Sequence, residues 1–275
     1  MIQFDTVTKT YPDGTVAVGG ISLDIPAGST TVLLGSSGSG KSTLLRMVNA
    51  MVRPTSGRVL VDGDDVADRD PVALRRSIGY VLQDGGLFPH RRIIDNIATV
   101  PLLEGTPRAA AHARAMEVLE VVGLDPALAR RFPSQLSGGQ RQRVGVARAL
   151  ANNPRILLMD EPFGALDPLV RADLQQELIA LQQRIGATIV FVTHDVDEAF
   201  LLGDQVAVLR PGGILAAVGT PAELLLCDDE FVSRFVGTHA RHRRLTTVER
   251  DGRVLVLDGG GRAIGTLAPD SEARP

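Results

Sequence analysis

The sequence predicts an α/β protein with a mainly parallel β-sheet, and three observations support that fold class. First, the uninterrupted apolar segments RILLMDE, ATIVFVTHD and DQVAVLR are typical of strands buried on both faces. Second, a helix-like segment, LVRADLQQELIALQQR, separates two of them, as a crossover between parallel strands requires. Third, an upstream apolar segment, TTVLL, runs into a glycine-rich turn that opens onto a helix.

The elements before residue 91 are expected to be strands around one early helix. The segments IQFDTVTKTY, ISLDI and TTVLLG are each bounded by Gly or Pro, and we expect them to be strands of a mixed sheet. The glycine-rich turn and a helix at STLLRMVNAM follow, and Pro54 and Gly57 end that helix. Two further strands are expected at GRVLVDG and IGYVLQ.

Two later regions differ from this alternation. Residues 91–152 are rich in Ala, with Pro and Gly breaks, which predicts a mostly helical insert or subdomain. After about residue 238 a basic segment, HARHRR, precedes VLVLDGGGRAIGTL, which predicts a β-hairpin around a triple-Gly turn. We therefore place a domain boundary near residue 238.

Composition excludes several functional classes. The 275 residues are 44% apolar and 22% charged, which suits one large domain or two modest ones. The 29 Lys and Arg against 32 Asp and Glu give no basic field, so nucleic acid is not an expected partner. Without a signal peptide or a long apolar run, the chain is expected in the cytosol. The single cysteine, Cys227, is expected to be a buried hydrophobe, and no Cys/His cluster predicts zinc.

The glycine-rich turn fits the phosphate-loop pattern of two glycines followed by Lys and Ser. Glycines allow backbone N–H groups to surround phosphate oxygens, and the following helix directs its positive end at them. In such a loop Lys41 neutralises the β- and γ-phosphates, and Ser42 is a ligand of Mg²⁺. The residues expected to bind nucleotide here are Gly35, Ser36, Ser37, Gly38, Ser39, Gly40, Lys41, Ser42 and Thr43.

Polar side chains follow three of the predicted strands at their carboxyl ends. Asp160 and Glu161 end RILLMDE, so two carboxylates emerge at the sheet edge where ligands of α/β proteins bind. We expect Asp160 to hold Mg²⁺ through its water shell and Glu161 to polarise the attacking water. His194, at the end of TIVFVTHD, is expected to donate to a γ-phosphate oxygen. Gln83, at the end of IGYVLQ, is expected to contact Mg²⁺ or that water.

A fifth motif, LSGGQ at residues 136–140, completes a set that resembles the ATPase subunits of ATP-binding cassette (ABC) transporters. The resemblance covers residues 1–237 and rests on the order of the phosphate loop, Gln83, LSGGQ, the Asp160–Glu161 strand, GALD at 164–167 and His194. It implies a RecA-like P-loop core with an antiparallel β subdomain and an inserted helical subdomain at about 84–152. It also implies that Tyr11 stacks on adenine.

The resemblance further implies that one chain holds only half of each nucleotide site. In the family, the signature loop acts on the partner's nucleotide, here through Ser137, Gly138, Gly139 and Gln140 at the start of a helix. Two copies would then sandwich two ATP molecules with twofold symmetry, with Asp167 near the seam. The implied cofactors are ATP and Mg²⁺, the metal being held by Ser42, Gln83 and Asp160.

Within the family, GYVLQDGGLFPHRRIIDNI, DRDPVALRR and MDEPFGALDPLVRADLQQE most resemble the ATPases of importers for glycine betaine, carnitine or choline. Importers of other small polar solutes, such as amino acids or metals, are the alternative. A non-transport cassette ATPase is more remote, because the chain has neither a coiled-coil insertion nor a second cassette. GALD replaces the commoner SALD without removing a polar group that hydrolysis needs.

An importer ATPase implies transmembrane permease subunits, an extracytoplasmic solute-binding protein and a peripheral position on the cytoplasmic side of the membrane. Leu87 and Phe88 could border the groove that receives a permease helix, or they could pack beneath the helical subdomain. Residues 238–275 are too short for a paired CBS module, so they are a CBS remnant or a small β element. The segment HARHRR could meet anionic lipid or serve as a solvated linker.

Overall fold

The computed structural model describes residues 1–83, 85–164, 166–240, 246–250, 253–257 and 263–266. The strands are β1 (Ile2–Thr10), β2 (Val16–Ile25), β3 (Thr30–Gly35), β4 (Ser56–Val61), β5 (Asp64–Asp65), β6 (Ile78–Val81), β7 (Ile156–Asp160), β8 (Thr188–Thr193), β9 (Gln205–Arg210), β10 (Ile214–Gly219), β11 (Thr246–Arg250), β12 (Arg253–Leu257) and β13 (Ala263–Thr266). The helices are α1 (Lys41–Val48), α2 (Pro71–Ser77), α3 (Ile93–Ile97), α4 (Thr99–Leu103), α5 (Arg108–Val121), α6 (Gly138–Leu150), α7 (Pro168–Ile185), α8 (Val196–Leu202), α9 (Pro221–Leu225) and α10 (Glu230–Ala240).

The central sheet has the strand order β10-β9-β3-β8-β7-β6. All neighbouring pairs from β9 to β6 are parallel, and β10 adds an antiparallel edge. Every residue of β3, β7 and β8 is buried, which explains why their sequences are apolar without alternation. The predicted α/β class is confirmed, and the carboxyl ends of these three strands lie at one edge of the sheet.

The N-terminal strands depart from the expected mixed sheet. β1 and β2 belong to a separate antiparallel sheet with the order β2-β1-β4-β5, whereas β3 lies in the middle of the parallel sheet. The physical reason is visible in the burial pattern, because β2 alternates between buried and exposed residues over its second half and β3 is buried throughout. Helix α1 packs in the core shared by the two sheets, with Leu44, Leu45, Met47 and Val48 fully buried.

Between β6 and β7 the described chain is helical, with α3 to α6 and two 3-10 turns at Pro126–Arg130 and Pro133–Gln135. These elements lie within the range 84–152 expected for the helical subdomain. The chain itself divides into two compact units, Met1–Pro221 and Ala222–Pro275, earlier than the boundary placed near residue 238. The extents of the ATP-binding domain and of its helical subdomain stay predictions.

The second unit contains α10 and a three-stranded antiparallel sheet in the order β11-β12-β13. Strands β12 and β13 pair as the expected hairpin requires, whereas the triple-Gly turn and most of HARHRR lie outside the described residues. Cys227 is partly exposed just after α9, so the expectation of full burial is wrong. Within the ranges given above, no helix combines the length and apolar composition needed to cross a membrane.

Candidate nucleotide site

The turn between β3 and α1 is packed so closely that its first and last glycines leave no room for a side chain. A Cβ on Gly35 would lie 2.4 Å from the carbonyl oxygen of Leu209, and one on Gly40 would lie 2.2 Å from that of Ala17. Gly40 also has φ +89°, a left-handed conformation that favours glycine. The loop is therefore held between β9 and β2, with its backbone close to the start of α1.

Lys41 is buried at the first position of α1. Its ammonium donates to the carbonyl oxygens of Gly35 and Ser36 at 2.8 Å each. Burial lowers the pKa of Lys41, and the nearby carboxylates of Glu161 and Asp160 partly oppose that shift. The Lys41 ammonium is thus paired with neutral carbonyl groups. Negatively charged phosphate oxygens would be stronger hydrogen-bond acceptors for it than these carbonyl oxygens.

The remaining loop residues lie where the sequence predicts. Ser37 and Gly38 are exposed, Ser36 and Thr43 are partly exposed, and Ser39 is fully buried. In the part of the chain that the structure describes, the hydroxyl of Ser39 has no hydrogen-bond partner. A buried hydroxyl without a hydrogen bond lowers the stability of the folded protein. A polar ligand that bonds to Ser39 in this loop would recover that stability.

Asp160, buried at the end of β7, is the centre of a hydrogen-bonded cluster. The Ser42 hydroxyl donates to Oδ1 at 2.7 Å, the Arg46 guanidinium donates to Oδ2 at 3.1 Å, and the Tyr80 hydroxyl donates to Oδ2 at 3.3 Å. Sequence reasoning brought Ser42 and Asp160 together but missed Arg46 and Tyr80. The signal for Arg46 is its spacing of one helical turn from Ser42, which puts both on one face of α1.

Glu161 follows in a strained conformation with φ +45°. Its N–H donates to the Val192 carbonyl at 3.1 Å, and its Oε2 lies 3.3 Å from Nδ1 of His194. Gly164 lies beside this pair, since a Cβ there would be 3.8 Å from Glu161 Oε2 and 3.4 Å from Nε2 of Gln83. The structure therefore brings Gln83, Glu161 and His194 together near the sheet edge.

The segment Ser137–Gln140 forms the N-terminus of α6. Ser137 Oγ accepts from the Gln140 N–H at 3.2 Å, and Gln140 Oε1 accepts from the Ser137 N–H at 3.0 Å, which is a capping box. A Cβ on Gly139 would lie 2.5 Å from Cγ1 of Val170 in the first turn of α7. Among the described residues, no hydrogen bond joins this segment to the phosphate loop.

Tyr11 lies in the turn that joins β1 to β2. Its ring is partly exposed, with the Lys9 ammonium 5.3 Å from the ring centroid, and its N–H donates to the Thr15 carbonyl. Ala17, two residues after Thr15, contacts Gly40 of the phosphate loop. The role of Tyr11 as the adenine platform stays a prediction.

Comparison with known proteins agrees with this geometry. Residues 18–164 match the family model described as ABC transporter. The chain is 47% identical over 251 residues to a glycine betaine/carnitine/choline transport ATP-binding protein of Bacillus subtilis, covering 91% of this chain and 66% of that protein. It is 45% identical over 238 residues to a glycine betaine uptake system ATP-binding protein of Escherichia coli, covering 86% and 77%.

Among solved structures, the chain resembles a dimeric ATP-binding cassette in a post-hydrolysis state bound to ADP and phosphate. The TM-score is 0.72 at 36% identity, over 80% of this chain and 99% of that one. The resemblance drawn from the motifs is confirmed, both for the cassette fold and for the osmoprotectant group of relatives. The chain spans slightly less than two thirds of the length of the Bacillus subtilis relative.

Replacing Gly40 with Ala is expected to destabilise the protein more than replacing Gly38 with Ala. Both positions have positive φ, +89° and +78°, which costs an alanine about 1–2 kcal/mol. Only the Gly40 variant also drives a Cβ into the backbone carbonyl of Ala17. Urea unfolding of the two variants measures the difference, and equal midpoints would contradict the packing described for the loop.

Proposed function

Because the chain belongs to the ABC transporter family, we propose that it is the ATP-hydrolysing subunit of a bacterial importer of quaternary-amine osmoprotectants such as glycine betaine, carnitine and choline. The ATPase assignment rests on one observation. The hydroxyl of Ser42, at the end of the phosphate loop, donates a 2.7 Å hydrogen bond to Asp160, the residue directly before Glu161. The choice of solute is supported by what the names of the relatives state about those proteins.

ATP binding follows from the loop. The backbone N–H groups of residues 36–42 and the N-terminus of α1 supply donors and positive charge for the triphosphate. Lys41 exchanges its carbonyl partners for the β- and γ-phosphates, a change from neutral to charge-assisted hydrogen bonds. Tyr11 stacks on adenine.

The residues present fit Mg²⁺. This ion prefers oxygen ligands and keeps several water molecules, and the Ser42 hydroxyl and the Asp160 carboxylate already touch one another. Gln83 is exposed, its amide lies beside Gly164, and we propose its amide oxygen as the further ligand. When bound with ATP, Mg²⁺ supplies charge neutralisation at the phosphates. Arg46 and Tyr80 hold Oδ2 of Asp160, which leaves Oδ1 on the side of Ser42.

Hydrolysis converts ATP and water to ADP and phosphate, and Glu161 is the residue that positions the water and accepts its proton. His194 orients that carboxylate through the contact between Nδ1 and Oε2 and lies where it can also donate to a γ-phosphate oxygen. Gln83 contacts the same water or the metal. The left-handed backbone conformation of Glu161 is present without substrate, so the fold already sets the point from which its side chain extends.

The opposite half of each site comes from a second copy of the chain. Ser137, Gly138, Gly139 and Gln140 cap α6 and present a second anion-binding helix N-terminus that acts on the partner's nucleotide. ATP then forms part of the interface of a twofold dimer, and its hydrolysis opens that interface. The similarity to a dimeric cassette supports this assembly.

As an importer subunit, the chain would lie on the cytoplasmic face of the membrane and bind permease subunits. A solute-binding protein outside the cytoplasm would deliver the solute to those permease subunits. Phe88 supports a docking surface for the permease, because its ring is partly exposed and the Arg91 guanidinium carbon lies 5.1 Å from its centroid. Leu87 beside it is half-buried. An apolar ring beside a cation suits an amphipathic helix.

Glu161→Gln is expected to keep ATP binding and lose hydrolysis. The amide preserves the shape of the side chain but cannot accept a proton from the attacking water. ATP should then hold the variant as a dimer, while the wild type returns to monomer as ATP is consumed. Multi-angle light scattering with ATP measures this, and a monomeric variant with normal turnover would refute the role of Glu161.

Lys41→Ala is expected to weaken ATP binding by at least tenfold. It removes the only Lys side chain of the loop and with it the charge-assisted hydrogen bonds to two phosphates. Titration calorimetry with ATP compares the variant with wild type, and Arg58→Ala serves as a control that removes an exposed cation paired with Asp5 in the N-terminal sheet. An unchanged isotherm for Lys41→Ala would contradict the assignment.

The transported solute is tested by uptake of radiolabelled compounds in cells with and without the intact gene. Glycine betaine, carnitine and choline are compared with amino acids at high and low salt, with the Glu161→Gln variant as the inactive control. Loss of quaternary-amine uptake alone supports the proposal. If uptake of another solute is lost and quaternary-amine uptake is unchanged, the ATPase assignment stands. The chain would then belong to an importer of a different small polar solute, and the osmoprotectant assignment would be refuted.

A further inference from the structure

Arg171 lies one turn into α7 and reaches two carboxylates at the start of α8. Its NH1 nitrogen is 3.3 Å from Oδ2 of Asp195, and its Nε is 3.7 Å from Oε1 of Glu198. The first contact is within hydrogen-bonding range, and the second is close enough for an ion pair only. One guanidinium therefore joins two acidic residues on a different helix.

The cluster around Arg171 is partly buried and well connected. Glu198 is 6% exposed, and its carboxylate accepts from the Thr193 hydroxyl at 2.6 Å and from the Gln175 amide at 3.2 Å. Burial raises the pKa of Glu198, with the hydrogen bond from Thr193 and the charge of Arg171 opposing that shift. An arrangement of this kind holds its members in fixed positions, because removing one partner leaves a buried polar group unpaired.

His194 lies between two residues of this cluster in the sequence. On one side, Thr193 accepts from the Asp195 N–H at 3.0 Å through the same hydroxyl that donates to Glu198. On the other side, Asp195 caps α8 by accepting from the Asp197 N–H at 2.8 Å. The backbone on both sides of His194 is thus fixed by groups that contact Arg171, although the His194 side chain itself is largely exposed.

The first turn of α7 also contacts the segment that begins α6. Val170, the residue before Arg171, is the neighbour that a Cβ on Gly139 would meet. Asp167 caps α7 by accepting from the Leu169 N–H at 2.9 Å. One turn of helix therefore contacts the Ser137–Gln140 segment on one side and, through Arg171, the residues around His194 on the other.

We propose that Arg171 is a positioning residue that ties the first turn of α7 to the backbone around His194, so that the Ser137–Gln140 segment and His194 keep a fixed relation during the ATPase cycle. This rests on the proposed ATPase function. Arg171 touches neither the phosphate loop nor Glu161 in the contacts described above. It acts through Asp195 and Glu198, and its loss displaces His194 relative to Glu161.

The test uses the full chain and three variants, with His194→Ala as a fourth that serves only to assign an NMR signal. Arg171→Gln removes the charge, and Arg171→Lys keeps a charge but loses the planar group that spans both carboxylates. Arg143→Gln is the matched control, because Arg143 in α6 pairs with Glu177 of α7 at 2.9 Å without contacting α8. Each variant is first checked for folding by urea unfolding.

In steady-state ATPase measurements, Arg171→Gln is expected to reduce kcat about tenfold or more. Its KM for ATP is expected to stay within about twofold of wild type, because a misplaced catalytic group lowers turnover without removing phosphate binding. Arg171→Lys is expected to lose a smaller part of kcat. Arg143→Gln is expected to match wild type in both constants. A purely structural ion pair would instead lower stability in both Gln variants and leave kcat per folded molecule unchanged.

A second readout does not depend on activity. The ring ¹H–¹³C NMR signal of His194, one of five histidines, is assigned by its loss in His194→Ala. It is expected to shift in Arg171→Gln and to stay in place in Arg143→Gln. An unmoved signal with unchanged kcat overturns the proposal, and if Arg171→Gln fails to fold, Arg171→Lys is judged by the same two measurements. A wild type without ATPase activity refutes the proposed function, whereas the His194 signal still tests the positioning.

Discussion

The register of three parallel strands is the constraint on which the rest of the site depends. Backbone pairing sets Leu34 of β3 beside Thr193 of β8, and Val192 beside Asp160 of β7. Parallel strands end at the same edge of a sheet. The phosphate loop, Glu161 and His194 therefore each follow their strands within one or two residues of that edge. A slip of one residue in any of these strands would turn its side chains to the opposite face and separate the groups.

Charge at this edge is distributed so that few groups are left without a partner. Asp160 accepts from Ser42, Arg46 and Tyr80, while Lys41 relies on two carbonyl oxygens. The carboxylate is therefore already organised, and the lysine is the group with most to gain from a phosphate. This asymmetry suits the proposed function, in which Asp160 keeps its partners and Lys41 exchanges its carbonyl partners for the phosphates of a nucleotide.

The sequence predicts those parts of the site that are local in the chain. A loop between an apolar strand and a helix, or a carboxylate after a buried strand, is readable from adjacent residues, and both were found. Arg46, Tyr80 and Arg171 could not be found in this way, because their partners lie on other elements whose order in the sheet the sequence does not state. The expectation that β1, β2 and β3 share one mixed sheet was wrong for a related reason, since strand periodicity tells which residues are buried but not which strands pair. The antiparallel β subdomain that the family resemblance implies is confirmed.

Strain at Glu161 has a place in this arrangement. A non-glycine residue in the left-handed region costs about 1–3 kcal/mol and persists only when its surroundings hold it. Here the Glu161 N–H is bonded to the Val192 carbonyl, and the following turn is anchored by Phe163, whose ring lies 5.6 Å from that of Phe191 in β8. The same strand, β8, therefore supports Glu161 through its backbone, the turn through Phe191 and His194 through its carboxyl end. The backbone conformation of Glu161 is set by the fold, so the cost is met during folding and would not recur in the proposed cycle of hydrolysis.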